Sequence, residues 1–147
     1  MYSRIYSKTN DITMGLSNEA KVYNKLKSIL CPKYGEKDIV KTTDKYAKWD
    51  WTGDINGTHF EMKSRRNTKM CYPTTLLPVH KVMKIDEKQV FVFHFTDKTC
   101  YLEYDPEVFK TFKQRTGQTY RDGIADPPQL QYEIPVSMLI DLEDVSL

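Results

Sequence analysis

Apolar residues recur along this chain with two different periods, and the pattern predicts an α/β protein. Helical spacing comes first, in an apolar stripe made of Val22, Leu26, Ile29 and Leu30. This stripe predicts a helix at about 17–30, because Ser17 is a residue type favoured at N-caps and Pro32 disfavours continuation.

Runs with a period of two predict strands, since successive side chains of a strand point to opposite faces. These runs lie at about 38–43, 46–54, 58–64, 89–95 and 99–104. Residues 89–95 are apolar at nearly every position, which predicts a central strand covered on both faces.

The rest of the chain predicts a second helix, a third short helix and a long loop. Helical spacing returns at about 75–86, with Pro78 tolerated in the first turn. Asp105 followed by Pro106 predicts a capped helix that runs to about Gln114. Residues 115–129 follow neither period and predict a long polar loop.

Asn56-Gly57 is a strong hairpin signal, because a two-residue type I′ turn needs positive φ at both central positions. With that turn, Thr52 pairs with Glu61 and Asp50 pairs with Lys63. The polar face of the hairpin then carries Asp50, Thr52, Asp54, His59, Glu61 and Lys63. The apolar face carries Trp51, Ile55, Phe60 and Met62, and Trp49 also points away from the acids.

Two carboxylates and a lysine on one face suit a magnesium site. Mg²⁺ is typically held by one or two carboxylates together with water and substrate phosphate oxygens. Asp50 and Glu61 can supply the carboxylates, and Lys63 can orient or deprotonate an attacking water. An exposed hairpin with ordinary cross-strand ion pairs is the alternative interpretation of the same residues.

Two further acids compete for roles in this site. Asp54 could replace Asp50, although its place beside the turn also suits simple turn chemistry. Glu19, three residues before Val22, either helps to cap the first helix or points at the metal across the sheet.

Together these residues resemble a known family. Gly15-x-x-x-Glu19 at a helix start, Asp50, and Glu61-x-Lys63 eleven residues later resemble the PD-(D/E)XK nuclease superfamily, and within it the Holliday-junction-resolvase-like members. The resemblance covers roughly residues 12–104. Trp49 stands where many members have a proline before the aspartate.

The resemblance implies a three-layer restriction-endonuclease-like core, in the order αβββαβ, with a central mixed sheet flanked by helices. It implies that Asp50, Glu61 and Glu19 are metal ligands, that Lys63 is the catalytic lysine, and that Lys81 lies near the site. Mg²⁺ is the implied cofactor, with Mn²⁺ as a substitute, and a homodimer is one implied assembly. The expected domain spans 1–147, with 105–147 as a family-specific extension.

The basic residues around the acids suggest the substrate. Arg65, Arg66 and Lys69 follow Glu61-x-Lys63 directly, and Lys41, Lys45 and Lys48 precede Asp50. Lys and Arg supply most non-specific affinity for nucleic acid, so we expect Arg65, Arg66, Lys69 and Lys81 to contact nucleic acid, DNA being favoured. A solvated charged loop is the alternative for each of them.

Composition narrows the class of protein only in part. A net charge of +2 does not by itself indicate a nucleic-acid partner, and 39% hydrophobic residues are typical of a globular domain. Cys31, Cys71 and Cys100 form neither a zinc motif nor a disulfide framework, which favours a reducing compartment. With no signal peptide or membrane-length apolar run in the sequence, we expect an intracellular protein in the cytoplasm, nucleoid or nucleus. The resemblance implies a metal-dependent nuclease that hydrolyses phosphodiester bonds. The two alternative functions are a non-catalytic nucleic-acid-binding module and a subunit-assembly protein.

Overall fold

The protein is an α/β fold built on a mixed sheet with few helices, as the sequence predicts. The computed structural model describes residues 19–43, 49–117, 120–121, 123–125 and 127–144. Gly15, Ser17, Lys45 and Lys48 lie outside the described residues, so the expectations placed on them stay predictions. In the part of the chain that is described, no helix has the length and apolar character needed to cross a membrane.

Eleven short strands are described. In chain order they are β1 (Ile39–Lys41), β2 (Trp51–Gly53), β3 (His59–Ser64), β4 (Thr74–Pro78), β5 (Gln89–His94), β6 (Thr99–Glu103), β7 (Lys113–Gly117), β8 (Tyr120–Arg121), β9 (Ile124–Ala125), β10 (Gln129–Pro135) and β11 (Ile140–Asp141). The central sheet has the order β1-β2-β3-β5-β6-β11, and β3 and β5 form its parallel pair. The second sheet has the order β4-β10-β7, while β8 pairs with β9 alone.

Helix α1 is longer than the sequence predicts. It is α-helical over residues 19–25, continues as a π-helix over Leu26–Leu30 and ends with Cys31–Lys33, so that it passes through Pro32. A proline ring collides with the carbonyl four residues earlier in a regular α-helix, and the wider π turn just before it relieves this conflict.

A glycine ends this helix. Gly35 has φ of +72°, and its N–H donates to the Pro32 carbonyl while the Glu36 N–H donates to the Cys31 carbonyl. These two bonds form a Schellman motif, in which a left-handed glycine satisfies the last free carbonyls of a helix. Because its N–H belongs to this motif, Glu36 has a fixed position directly after helix α1.

The predicted helix at about 75–86 is wrong. This segment forms strand β4 and a single 3₁₀ turn at Val79–Lys81. Thr75 and Leu77 are buried while Leu76 is less so, which is the period of two that a strand requires. One proline and two threonines within β4 favour extended backbone over helix.

The C-terminal third also differs from the prediction. Asp105 caps a short helix α2 (Pro106–Phe109) by accepting the Glu107 N–H at 2.9 Å, but the helix ends well before Gln114. The segment predicted as a loop at 115–129 instead contains the end of β7, the paired strands β8 and β9, and the first residue of β10. Strand β7 has no buried residue, so its exposed, polar sequence hides the strand period.

Each face of the central sheet has its own hydrophobic cluster. Helix α1 covers one face, and this cluster contains Val22, Leu26, Leu30, Cys31, Ile39, Trp51, Phe60, Val90, Val92, Tyr101 and Leu142. The second sheet and α2 cover the other face, and that cluster contains Leu77, Phe91, Phe93, Phe95, Cys100, Leu102, Phe109, Phe112, Ile134, Val136 and Leu139. Residues after 105 thus form part of the core and supply two of the three strands of the second sheet.

Candidate active site

Strands β2 and β3 pair two residues away from the predicted register. Trp51 lies opposite Phe60 and Thr52 lies opposite His59, so residues 54–57 form a four-residue loop. A shift of two residues preserves the face of every side chain. Glu61 and Lys63 therefore keep their predicted face, but the predicted pairs of Asp50 with Lys63 and of Thr52 with Glu61 are wrong.

The Glu36 carboxylate is the reason for the longer loop. Its Oε1 accepts the N–H groups of Ile55 at 2.9 Å and Asn56 at 2.7 Å, and its Oε2 accepts that of Thr58 at 3.0 Å. Burial alone would raise the pKa of Glu36, but these hydrogen bonds outweigh burial and hold that pKa below its ordinary value. Ile55, predicted on the apolar face, is instead exposed at the loop tip.

Gly53 gives Glu36 its access to the loop. A Cβ at this position would lie 1.8 Å from Glu36 Oε2, so no other residue leaves room for the carboxylate. The side chain of Asn56 completes the junction by donating to the carbonyls of Tyr34 and Gly35. The end of helix α1 and the hairpin loop are therefore one hydrogen-bonded unit.

Asp50 lies at a β-bulge. Its N–H donates at 2.8 Å to the carbonyl of Phe60, the residue that already pairs with Trp51, so two successive residues oppose one. Its carboxylate Oδ2 accepts the N–H of Met62 at 2.8 Å. Bulges bend a strand and redirect its side chains, and this one fixes the carboxylate beside β3.

The bulge also changes the position of Trp49. The Trp49 ring packs on His59 with centroids 4.2 Å apart, and its Nε1 donates to Thr52 Oγ1 at 2.8 Å. Both partners belong to the polar face, so the prediction that Trp49 points away from that face is wrong. One extra residue at a bulge reverses the alternation beyond it.

Glu61 binds two lysines at the centre of the site. Lys63 Nζ and Lys81 Nζ each lie 3.3 Å from the same carboxylate oxygen, Oε1. Lys63 comes from the same strand, while Lys81 comes from the 3₁₀ turn after β4. The side chain of Glu61 is 9% exposed, so this carboxylate meets both ammonium groups in a largely dry place.

Burial changes the proton affinity of these groups. It raises the pKa of Glu61, with the Asp50 charge acting in the same direction and the two lysines opposing it. Burial also lowers the pKa of Lys63; the positive charge of Lys81 acts in the same direction, and Glu61 opposes it.

Lys41 connects Glu19 with Asp50. Its Nζ lies 2.7 Å from Glu19 Oε1 and 3.8 Å from Asp50 Oδ1. The ammonium also lies over the Trp51 ring, 5.2 Å from its centroid. Glu19 is therefore linked to Asp50 only indirectly, through the ammonium group of Lys41.

Asp54 lies at the other end of the hairpin. Its Oδ1 accepts the N–H groups of Lys37 and Asp38, each at 3.0 Å. Here the carboxylate holds the segment that enters β1, as a turn aspartate does.

Arg65 and Lys69, which were expected to contact nucleic acid, are bound within the protein, as Lys81 is through Glu61. Arg65 donates through Nε to Thr75 Oγ1 at 3.0 Å and through Nη2 to the Leu76 carbonyl, which joins β3 to β4. Lys69 Nζ lies 2.8 Å from Asp141 and its side chain is only 13% exposed. Arg66 lies exposed on the same segment.

The acidic C-terminal segment contacts this basic segment through Asp141. Asp141 accepts hydrogen bonds from Lys69, Lys98 and Cys100. These bonds hold the pKa of Asp141 well below its ordinary value, and burial together with the same contact raises the pKa of the Cys100 thiol to about 12. Cys100 is therefore a protonated, unreactive thiol at neutral pH.

The donor atoms of the site fit a hard divalent cation. Asp50 and Glu61 supply carboxylate oxygens, although each already has partners in the protein: Asp50 Oδ2 accepts the Met62 N–H, Asp50 Oδ1 lies 3.8 Å from Lys41 Nζ, and two lysines contact Glu61 Oε1. Mg²⁺ needs only one or two protein carboxylates, since water and phosphate oxygens complete its shell. In the described ranges, no three side chains of His, Cys, Asp or Glu form a ready metal cluster.

Sequence reasoning missed the pairing of Lys81 with Glu61 and the position of Lys41 between two acids. It also missed Glu36, whose carboxylate sets the loop. The Gly35-Glu36 dipeptide after the first apolar stripe was the available signal for a helix end at this point. No local signal predicts the two lysine contacts, because they depend on how β1 and β4 pack against the hairpin.

Comparisons of the chain with protein-family models, curated proteins and solved structures found no significant match.

Proposed function

We propose that this protein is a metal-dependent nuclease that hydrolyses phosphodiester bonds, with DNA as the favoured substrate. One observation carries the proposal. Asp50 Oδ2 accepts the N–H of Met62, the residue between Glu61 and Lys63, so two carboxylates and a lysine are carried by neighbouring strands at one place in the hairpin. In an exposed hairpin with ordinary ion pairs, the central carboxylate would lie in water, whereas Glu61 is buried.

The order of elements supports a restriction-endonuclease-like core. Helix α1 is followed by the antiparallel strands β1, β2 and β3, and after a crossover β5 lies parallel to β3. This is the order that the resemblance implies, except that β4 and one 3₁₀ turn take the place of the crossover helix. The exception leaves β3, which carries Glu61 and Lys63, in the centre of the sheet.

Each residue has a role in the proposed reaction. Asp50 and Glu61 would hold Mg²⁺ or Mn²⁺, which when bound polarises the phosphate and lowers the pKa of its water. Lys63 would place its ammonium beside the attacked phosphate and orient the attacking water, because Glu61 holds its Nζ on the polar face. Arg66, exposed on the segment after β3, would contact the nucleic-acid backbone.

A cleavage assay tests the proposal. Supercoiled, linear duplex, branched and single-stranded DNA, together with RNA, are incubated with the protein in Mg²⁺, in Mn²⁺ and in a chelator. Cleavage with metal that is lost in the Glu61→Gln variant supports the nuclease. Metal-independent binding without cleavage would favour a nucleic-acid-binding module, and neither binding nor cleavage would favour a subunit-assembly protein.

A further inference from the structure

The single negative charge of Glu61 has two positive charges beside it, the ammonium groups of Lys63 and Lys81. Lys63 and Lys81 both lie 3.3 Å from Oε1, and each repels the other. A divalent cation bound at Glu61 would repel both ammonium groups. The repulsion would be strong, because like charges interact strongly where little water surrounds them.

The two lysines differ in how firmly they are held. Lys63 projects from β3, which is hydrogen-bonded to β2 on one side and β5 on the other. Lys81 ends a single 3₁₀ turn, whose backbone is closed by the bond from the Val82 N–H to the Val79 carbonyl. Its side chain is 22% exposed and, with four rotatable methylenes, can carry the ammonium several ångströms while the turn stays in place.

We propose that Lys81 is an exchangeable counter-ion of Glu61: it neutralises the carboxylate when no divalent cation is bound and moves to a substrate phosphate when one is. The inference rests on the proposed function and adds a role for a residue outside the two carboxylates and Lys63. It gives the buried Glu61 carboxylate a partner before metal binds, since an unpaired charge there would be costly. It also couples arrival of the metal to release of one cation toward nucleic acid.

The proposal predicts opposite changes in two affinities when the charge of Lys81 is removed. Lys81→Met keeps the apolar stem and removes the ammonium. Its affinity for Mg²⁺ should rise, on the order of tenfold, because the competitor for Glu61 has gone. Its affinity for duplex DNA in the presence of Mg²⁺ should fall, and the slope of log affinity against log salt should decrease by roughly 0.9, the value of one phosphate contact.

The experiment measures Mg²⁺ binding by calorimetry and binding of a mixed-sequence duplex DNA by fluorescence anisotropy at several salt concentrations. DNA binding uses the Lys63→Ala background, so that cleavage does not interfere. Lys88→Met is the matched control, because Lys88 also lies 3.3 Å from a glutamate, Glu103, but on the exposed surface. The control should leave both affinities unchanged. Lys81→Gln, which keeps a neutral donor, replaces Lys81→Met if circular dichroism shows that the methionine variant is unfolded.

The outcomes separate the inference from the proposed function. A wild-type protein that binds no Mg²⁺ would overturn both. A wild type that binds Mg²⁺, together with Lys81 variants that bind it no more tightly, would overturn the exchange alone. Tighter Mg²⁺ binding with unchanged DNA affinity would also overturn it, since the released ammonium would then have no phosphate to meet.

Discussion

Asp50 accepts the backbone N–H of Met62, the residue between Glu61 and Lys63, at 2.8 Å. This hydrogen bond fixes the Asp50 carboxylate to β3, the strand that carries Glu61 and Lys63. The bond depends on the bulge at Asp50, because regular pairing would direct that N–H to a backbone carbonyl. The geometry of the site is therefore a property of the backbone as much as of the side chains.

Lys63→Ala should abolish cleavage and leave the fold intact. The lysine lies on the polar face and contacts Glu61, which retains Lys81 as a partner in the variant. Cleavage rates and urea unfolding of the variant should be compared with those of Lys88→Ala, a lysine of an exposed pair. Cleavage by Lys63→Ala at the wild-type rate would remove Lys63 from the mechanism.

Asp50→Asn and Asp54→Asn form a matched pair of changes on one hairpin. Asparagine can still accept the Met62 N–H through its own oxygen, so Asp50→Asn should fold but lose most Mg²⁺ affinity and nearly all cleavage. Asp54→Asn should be mild, because an amide oxygen can accept the N–H groups of Lys37 and Asp38 equally well. Calorimetric Mg²⁺ titration and cleavage at one salt concentration distinguish the two variants. If Asp54→Asn were inactive and Asp50→Asn were active, the metal ligand would be Asp54 and not Asp50.

Glu19→Gln should lower activity at limiting Mg²⁺ and change stability little. Glu19 holds Lys41 at 2.7 Å, and the neutral amide would release that ammonium toward Asp50, where it competes with the metal. The measurement is the Mg²⁺ concentration that gives half-maximal cleavage, together with the melting temperature. A lower melting temperature at unchanged activity would return Glu19 to a helix-capping role.

Glu36→Gln should destabilise the fold by about 1–3 kcal/mol. A glutamine has one acceptor oxygen, so at least one of the three N–H groups of the loop loses its partner inside the protein. Urea unfolding measures the loss, with Glu107→Gln at an exposed helix position as the control. Equal stability of the two variants would contradict the role of Glu36 in the loop.

The same carboxylate predicts a dependence of stability on pH. Because the pKa of Glu36 is lower in the folded than in the unfolded protein, its contribution is fully present above the ordinary carboxyl pKa of about 4.3. That contribution is lost as the pH falls through the lowered value. The difference in unfolding free energy between wild type and Glu36→Gln should therefore be greatest near pH 7 and shrink toward pH 3. A difference that grows on acidification would reverse the sign assigned here.

The sequence predicts the central sheet better than its surroundings. Residues alternate around Phe60, and the run around Phe91 is apolar on both faces of its strand, so both patterns are visible in the sequence. Strand β4 is misread as a helix, since Leu76, Leu77, Val79 and Val82 fit helical spacing as well as they fit a strand. Period alone does not separate these two structures in a short apolar segment.

The candidate site follows the same division. The shared face of Glu61 and Lys63 is predictable from the strand period, and it survives the change of register because the shift is even. The bulge at Asp50 and the contact of Lys81 with Glu61 are not predictable, because both depend on segments distant in the sequence. The sequence pattern indicates which residues are candidates for the site, whereas tertiary packing determines which of them are in contact.

The hydrogen bonds from Glu36 to the hairpin loop have a consequence for how this protein folds. Asn56-Gly57 alone favours a two-residue turn, whereas the native loop has four residues and needs a carboxylate from beyond helix α1. The hairpin is thus locally frustrated until the end of α1 has docked, and a peptide of residues 49–64 should adopt the other register. Native pairing of β2 with β3 should therefore require that the end of α1 reaches the hairpin loop.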